Sequence, residues 1–253
     1  MIQLKNAQEL AKMRRACQIS AEALKLGGRS IEAGMTTADL DKIIYDYIKR
    51  HGARPNFKGL YGFPGTACIS INDEVIHGLP SHSRQIRPGD IVSIDTGAAF
   101  NGFNGDNACT FPCGKVDIEA QRLMDVTKES LHRGIAAAVA GNRVGDIGHA
   151  VQSYVEENGF SVVRSFVGHG VGKELHEDPE VPNYGHAGHG VRLVNGMTIA
   201  IEPMVNQKHH SVKTLSDGWT VVTADGGLAA HFEHSIAILP GGPEILTIGW
   251  EEP

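Results

Sequence analysis

The chain has 253 residues, 41% apolar and 21% charged, with a formal net charge of −6. That balance excludes a disordered tail or a fibrous repeat, and the lack of a basic tract argues against general nucleic-acid binding. No apolar run reaches the roughly 18 residues of a membrane span, and Met1–Arg15 lacks the apolar block of a signal peptide, so the expectation is a soluble cytoplasmic protein.

Leu10, Met13, Cys17, Ala21 and Leu24 recur at spacings of three and four. They predict one amphipathic helix that Gly27-Gly28 ends. A second helix follows Thr36, with Asp39 completing a loose capping box and Gly52 as its stop. Phe57, Tyr61, Phe63, Cys68 and Trp219 read as core from the residues alone. His77 closes an apolar run before Gly78 and Pro80, a strand-to-loop junction of the kind that lines sites. Ile91–Asp95 reads as a strand closing on a carboxylate. Further helices carry Met124, Leu131, Ile135 and Ala138, then Ile147, Val151 and Val155 up to Gly159. The four cysteines form no C-x-x-C pair and read as reduced thiols.

The second and fourth helices overlay at a constant offset of 107 positions, as Asp39 on Asp146, Tyr47 on Tyr154 and Gly52 on Gly159. The same offset lays Ile91–Asp95 on Thr198–Glu202. With a longer insert, Gly105-Asp106 then echoes Phe232-Glu233. The chain therefore reads as one domain, 1–253, made of two related halves, roughly 1–115 and 116–253. Two such halves about a pseudo-twofold axis bring Asp95, Asp106, Glu202 and Glu233 to one centre. Several buried carboxylates repel unless cations neutralise them, and a pair of divalent ions would do so. His169, between Gly168 and Gly170, adds an imidazole ligand suited to such a site. His176 stands level between a loop role and a functional one. His186-x-x-His189 and His209-His210 read as surface residues. The phosphate-loop, H-E-x-x-H and G-x-S-x-G patterns are absent.

Asp95-x10-Asp106, Gly168-His169-Gly170, Ile201-Glu202-Pro203-Met204 and Phe232-Glu233-His234 together resemble the metal-site signature of type I methionine aminopeptidases. The likeness runs from about residue 4 to residue 248. It implies the α+β pita-bread fold, two pseudo-symmetric halves of helices on antiparallel sheet around a dinuclear metal site. It implies an aminopeptidase that removes initiator methionine from nascent chains when the second residue is small, with metal-activated water attacking the scissile carbonyl. In that likeness Asp95, Asp106, His169, Glu202 and Glu233 are the ligands, with Asp106 and Glu233 bridging, and Glu202 also serves as the base. His77 and His176 contact substrate and stabilise the tetrahedral intermediate. Phe57, Leu60, Phe63, Cys68, Leu175 and Trp219 line the methionine pocket. The implied cofactors are two divalent ions from among Co, Mn, Fe and Zn. The implied partners are the N-termini of nascent polypeptides, with transient ribosome association, no membrane and a monomeric state.

Leu60 and Leu175 stand where an aromatic ring is frequent in that family, His231 where glutamine is common, and Asn107 where a small hydroxyl residue is common. The alternatives are an exopeptidase of X-Pro specificity, a non-catalytic binding module on the same fold, and a structural Ca²⁺ protein. His169 counts against the last, because Ca²⁺ favours six to eight oxygen ligands.

Overall fold

The computed structural model describes residues 1–250; positions 251–253 of the expected single domain lie outside the described residues. Helix α1 (Ala7–Arg29) starts where the Asn6 side chain accepts from the N–H groups of Gln8 and Glu9 and the Glu9 carboxylate accepts from Asn6 N–H. This reciprocal cap satisfies donors that the first turn leaves open. The helix runs through Gly27-Gly28 instead of ending there. The glycines are packing positions, since a Cβ on Gly28 would lie 2.3 Å from the Phe111 ring. Ser30 ends the helix, its N–H donating to Leu26 O and Gly27 O.

Helix α2 (Thr37–Arg50) has the predicted Thr36–Asp39 capping box. Strands β1 (Arg54–Pro55), β2 (Ala67–Ile71), β3 (Glu74–Ile76), β4 (Ile91–Phe100) and β5 (Phe103–Pro112) complete the first half. Helices α3 (Ile118–Ala137) and α4 (Val144–Glu157) open the second half. Then come β6 (Ser161–Val162), β7 (Gly168–Gly170), β8 (Glu177–Val181), β9 (Thr198–Ile201) and β10 (Met204–Asn206). β11 (Val212–Thr214), β12 (Val221–Thr223), β13 (Ala229–His231), β14 (Glu233–Leu239) and β15 (Gly242–Ile245) follow. Helices α2 and α4 have 14 residues each, and the bounds of one fall on the other at the expected offset. β4 and β9 also begin at that offset.

A nine-stranded sheet carries the path β1-β4-β5-β14-β9-β7-β8, with β2 also on β4 and β15 also on β14. The seam between halves is β5–β14, where Glu233 lies opposite Ala108. β4 does not stop at Asp95. It continues to Phe100 because β5 pairs with it from Ile91↔Pro112 to Phe100↔Phe103, which leaves Asp95 in mid-strand. Ile19, Leu24, Leu40, Ile44, Leu123, Leu131 and Ile147 from the helices pack with Ile94, Ile199 and Ile236 of the sheet in one buried core. The helices thus cover one face of the sheet, and the carboxylates point the other way. No described helix is long and apolar enough to cross a membrane.

Candidate metal centre and substrate cleft

Alternation along strands aims the acids. Ile94 faces the helices, so its neighbour Asp95 faces the opposite side. On β5, Asp106 lies opposite Gly97, and its main chain is tied across the seam. Asp106 N–H donates to Ser235 Oγ at 3.2 Å and Ser235 Oγ–H donates back to Asp106 O at 2.8 Å. Glu202 follows β9 directly, and Glu233 opens β14. β7, paired between β9 and β8, delivers His169.

Ligand atoms of Asp106, His169 and Glu233 all lie within 4.8 Å of one another. His169 Nε2 is 3.7 Å from Asp106 Oδ2 and 3.5 Å from Glu202 Oε1. His169 Nδ1–H donates to Gly170 O at 2.8 Å, so Nε2 turns its lone pair to the acids. Asp95 Oδ1, Asp106 Oδ1 and Glu233 Oε1 are buried with no hydrogen-bond partner. Burial raises the Asp106 carboxyl to about 7. Burial, then the charge of Asp106, pushes Asp95, Glu202 and Glu233 well above the usual carboxylate range. Burial also lowers His169 to about 4, which keeps its ring neutral. Three acids with an unpartnered buried oxygen, with Glu202 and a neutral imidazole beside them, fit a divalent cation, which would supply the missing partner charge.

The centre floors a cleft of about 520 Å³. Every sequence-predicted site residue lines it: Asp95, Asp106, His169, Glu202 and Glu233, the histidines His77 and His176, and the six pocket residues. Phe57, Phe63, Cys68 and Leu175 form a buried apolar cluster, with Leu60 and Trp219 packed on it. The core expectation for Phe57, Phe63, Cys68 and Trp219 is thus refined: the first three are buried and Trp219 partly buried, against the cleft. Tyr61 departs from it outright. It is 78% exposed, in a left-handed turn conformation (φ 50°), with its ring stacked 6.2 Å from that of His176. His77 also has a left-handed backbone (φ 59°), where the chain turns off β3. Burial lowers His77 to about 4 and depresses His176 as well. The His176 and His169 rings meet edge to face at 4.4 Å.

Sequence reasoning missed Phe166, whose ring meets that of His77 edge to face at 5.7 Å, and Asn183, whose Nδ2 donates to Glu202 O at 3.0 Å. It also missed Ser235, although that hydroxyl stands two residues after Glu233 in the echo of Gly105-Asp106. His231 Nε2, held neutral by burial, lies 3.6 Å from Glu202 Oε2. The pairs His186/His189 and His209/His210 are remote from the cleft and lie at the surface or partly covered, as expected.

Comparison with known proteins places this arrangement. Residues 11–240 match Metallopeptidase family M24. A methionine aminopeptidase of Clostridium perfringens is 55% identical over 98% of this chain and 99% of its own. Methionine aminopeptidase 1 of Bacillus subtilis is 50% identical over 98% and 99%. The crystal structure of methionine aminopeptidase from Thermotoga maritima superposes with a TM-score of 0.96 at 45% identity, over 98% of this chain and 99% of that one. A prolidase from Pyrococcus horikoshii, 22% identical with a TM-score of 0.78, shares the fold over 96% of this chain and 63% of its own. The helices, the curled antiparallel sheet and the acid-lined cleft are therefore those of a pita-bread fold, and the chain belongs to metallopeptidase family M24.

Proposed function

We propose that this protein is a methionine aminopeptidase, a metal-dependent exopeptidase that removes the N-terminal methionine of nascent proteins and peptides whose second residue is small. One observation carries the reading: a cluster of Asp106, His169 and Glu233 at the floor of an apolar cleft, in a chain 55% identical to a methionine aminopeptidase. Residues 1–253 act as one catalytic domain, because each half supplies only part of the ligand set.

Asp95, Asp106, His169, Glu202 and Glu233 would hold the metal. Four carboxylates balance the charge of two divalent ions, and a set with one imidazole suits Mn, Fe, Co or Zn. Bound metal lowers the pKa of water from 15.7 towards about 7 and polarises a carbonyl. Glu202, whose carboxyl is pushed up by burial and by Asp106, is suited to hold a proton released by the attacking water. His77 and His176 are kept neutral by burial and offer N–H donors to an oxyanion developing at the scissile carbonyl. Phe57, Leu60, Phe63, Cys68, Leu175 and Trp219 receive the methionine side chain, whose burial is worth about 1.5–3 kcal/mol. Asn183 ties down the Glu202 main chain, and the neutral His231 ring stands 3.6 Å behind its carboxylate. Because its substrate is the end of a new chain, the enzyme works in the cytoplasm as a monomer, in transient contact with the ribosome.

The test is release of free methionine from Met-Ala-Ser by metal-stripped protein resupplied in turn with Mn²⁺, Co²⁺, Fe²⁺ and Zn²⁺, beside Met-Lys-Ser and Ala-Pro-Ser. Metal-dependent cleavage of Met-Ala-Ser alone is expected. Cleavage of Ala-Pro-Ser in its place would assign the chain to proline-directed exopeptidases.

A further inference from the structure

Leu175 and His176 reach the cleft from the turn between β7 and β8, and that turn is gripped from both sides. From β5, Asn104 N–H donates to Gly172 O at 2.8 Å. Its Nδ2 donates to Gly172 O at 3.1 Å and to Lys173 O at 2.9 Å. On the opposite side lies the chain ahead of α1. Lys5 N–H donates to Gly196 O at 2.7 Å. Lys5 Nζ donates to Glu177 Oε2 at 2.5 Å and to Gln3 O at 3.1 Å. Glu177 Oε1 accepts from Glu174 N–H at 3.2 Å. The pair packs directly on the turn, since a Cβ on Gly172 would stand 2.4 Å from Lys5 Cε and 2.6 Å from Glu177 Oε1.

The Lys5 and Glu177 side chains are 5% and 7% exposed. Burying such a pair costs desolvation of both charges, and an apolar pair of similar shape would be at least as stable. Its use is therefore better sought in geometry. β7 is three residues long, and its register with β8 shifts between His169 and Gly170, which puts Glu177 opposite Gly170. So short and irregular a ladder specifies its own register weakly. The buried ion pair supplies a fixed point next to His176 in the chain.

We infer that Lys5 is a positioning residue: its buried ion pair with Glu177 locks the β7–β8 turn and thereby sets His176 and Leu175 against the substrate. The consequence for catalysis rests on the aminopeptidase reading; the lock itself does not. Two measurements separate them, hydrogen exchange of the 172–177 amides and a double-variant cycle on Met-Ala-Ser with saturating cation. For Lys5→Met, we expect exchange at 172–177 to rise about tenfold while α3 is unchanged, and kcat/KM to fall about tenfold. In a His176→Ala background the same change should cost less than about threefold, because the group being positioned is gone. Lys5→Gln keeps a donor and loses the charge, and falls between; it carries both measurements if Lys5→Met does not fold. Lys5→Arg, which keeps the charge, should restore most of the activity. Unchanged exchange at 172–177, or an undiminished tenfold loss in the His176→Ala background, overturns the inference. A wild-type chain that leaves Met-Ala-Ser intact removes the aminopeptidase reading, while the exchange data still decide the lock.

Discussion

Removing the cations by chelation and raising the pH sets the four buried carboxyls against one another. Asp106 is raised from 3.8 to about 7, and Asp95, Glu202 and Glu233 stand well above their ordinary values. A raised native pKa means that the folded chain keeps protons the unfolded chain has released. The associated stability is full below the unfolded value near 4 and is lost as pH climbs through the folded one. Buried neutral histidines act in the opposite sense. His77 and His169 fall to about 4 and His231 to about 3, so they destabilise as pH drops below about 6.5. Between about pH 4 and 6.5 the two sets oppose each other. Above about 6.5 the histidines are silent, and each carboxyl still protonated costs about 1.4 kcal/mol per pH unit. Asp106, raised to about 7, is half titrated across about pH 6.5 to 7.5 and gives about half of that, and Asp95, Glu202 and Glu233 act in the same direction. In a chain of this length about 1 kcal/mol moves Tm by roughly 2–4 °C. Calorimetry of the chelated protein should therefore show Tm falling by at least about 1 °C over that pH unit. With Mn²⁺ present the fall should shrink or reverse, since the cation binds the ionised acids. A chelated-protein Tm that is flat or rises from about pH 6.5 to 7.5 would refute the electrostatic account of the centre.

Glu202→Gln should lower kcat by about 100-fold or more while the protein stays folded, and near wild-type turnover would remove Glu202 from the mechanism. His77→Ala should lower kcat with an unchanged metal content by elemental analysis; loss of metal would make His77 a ligand. Gly105→Ala would put a Cβ 2.5 Å from Cys17 Cα, in the backbone of α1. Prising α1 from β5 should cost about 3 kcal/mol, read as a lower Tm and weaker cation binding, and an unchanged Tm would show that the contact is not tight.

Periodicity made the helices readable, because α2 and α4 announce both ends with a capping box or acid near the start and a glycine after the stop. The internal repeat located the paired strands, since β4 and β9 obey one offset. Long-range pairing was not readable. Nothing local at Asp95 says that β5 will extend the ladder five residues past it. Gly27-Gly28 looked like a stop because glycine is a poor helix former, yet the close approach of Phe111 decides its use. Tyr61 looked like core by its company, but the left-handed turn at that residue swings its ring outward. The acids and His169 that gather in the cleft were legible through their motifs, whereas Phe166, Asn183 and Lys5 are placed by contacts with no sequence periodicity.

The reciprocal bonds between Asp106 and Ser235 join positions 129 residues apart. Until β14 has been synthesised, a growing chain owns Asp95 and Asp106 without Glu233, and the hydroxyl that clasps Asp106 does not yet exist. Closing so long a loop is slow compared with forming the local helices. The centre is thus assembled only after β14 has left the machinery that makes it. A chain still short of β14 lacks one acid of the cluster and the clasp on another, so the whole cluster exists only in a molecule whose two halves have met.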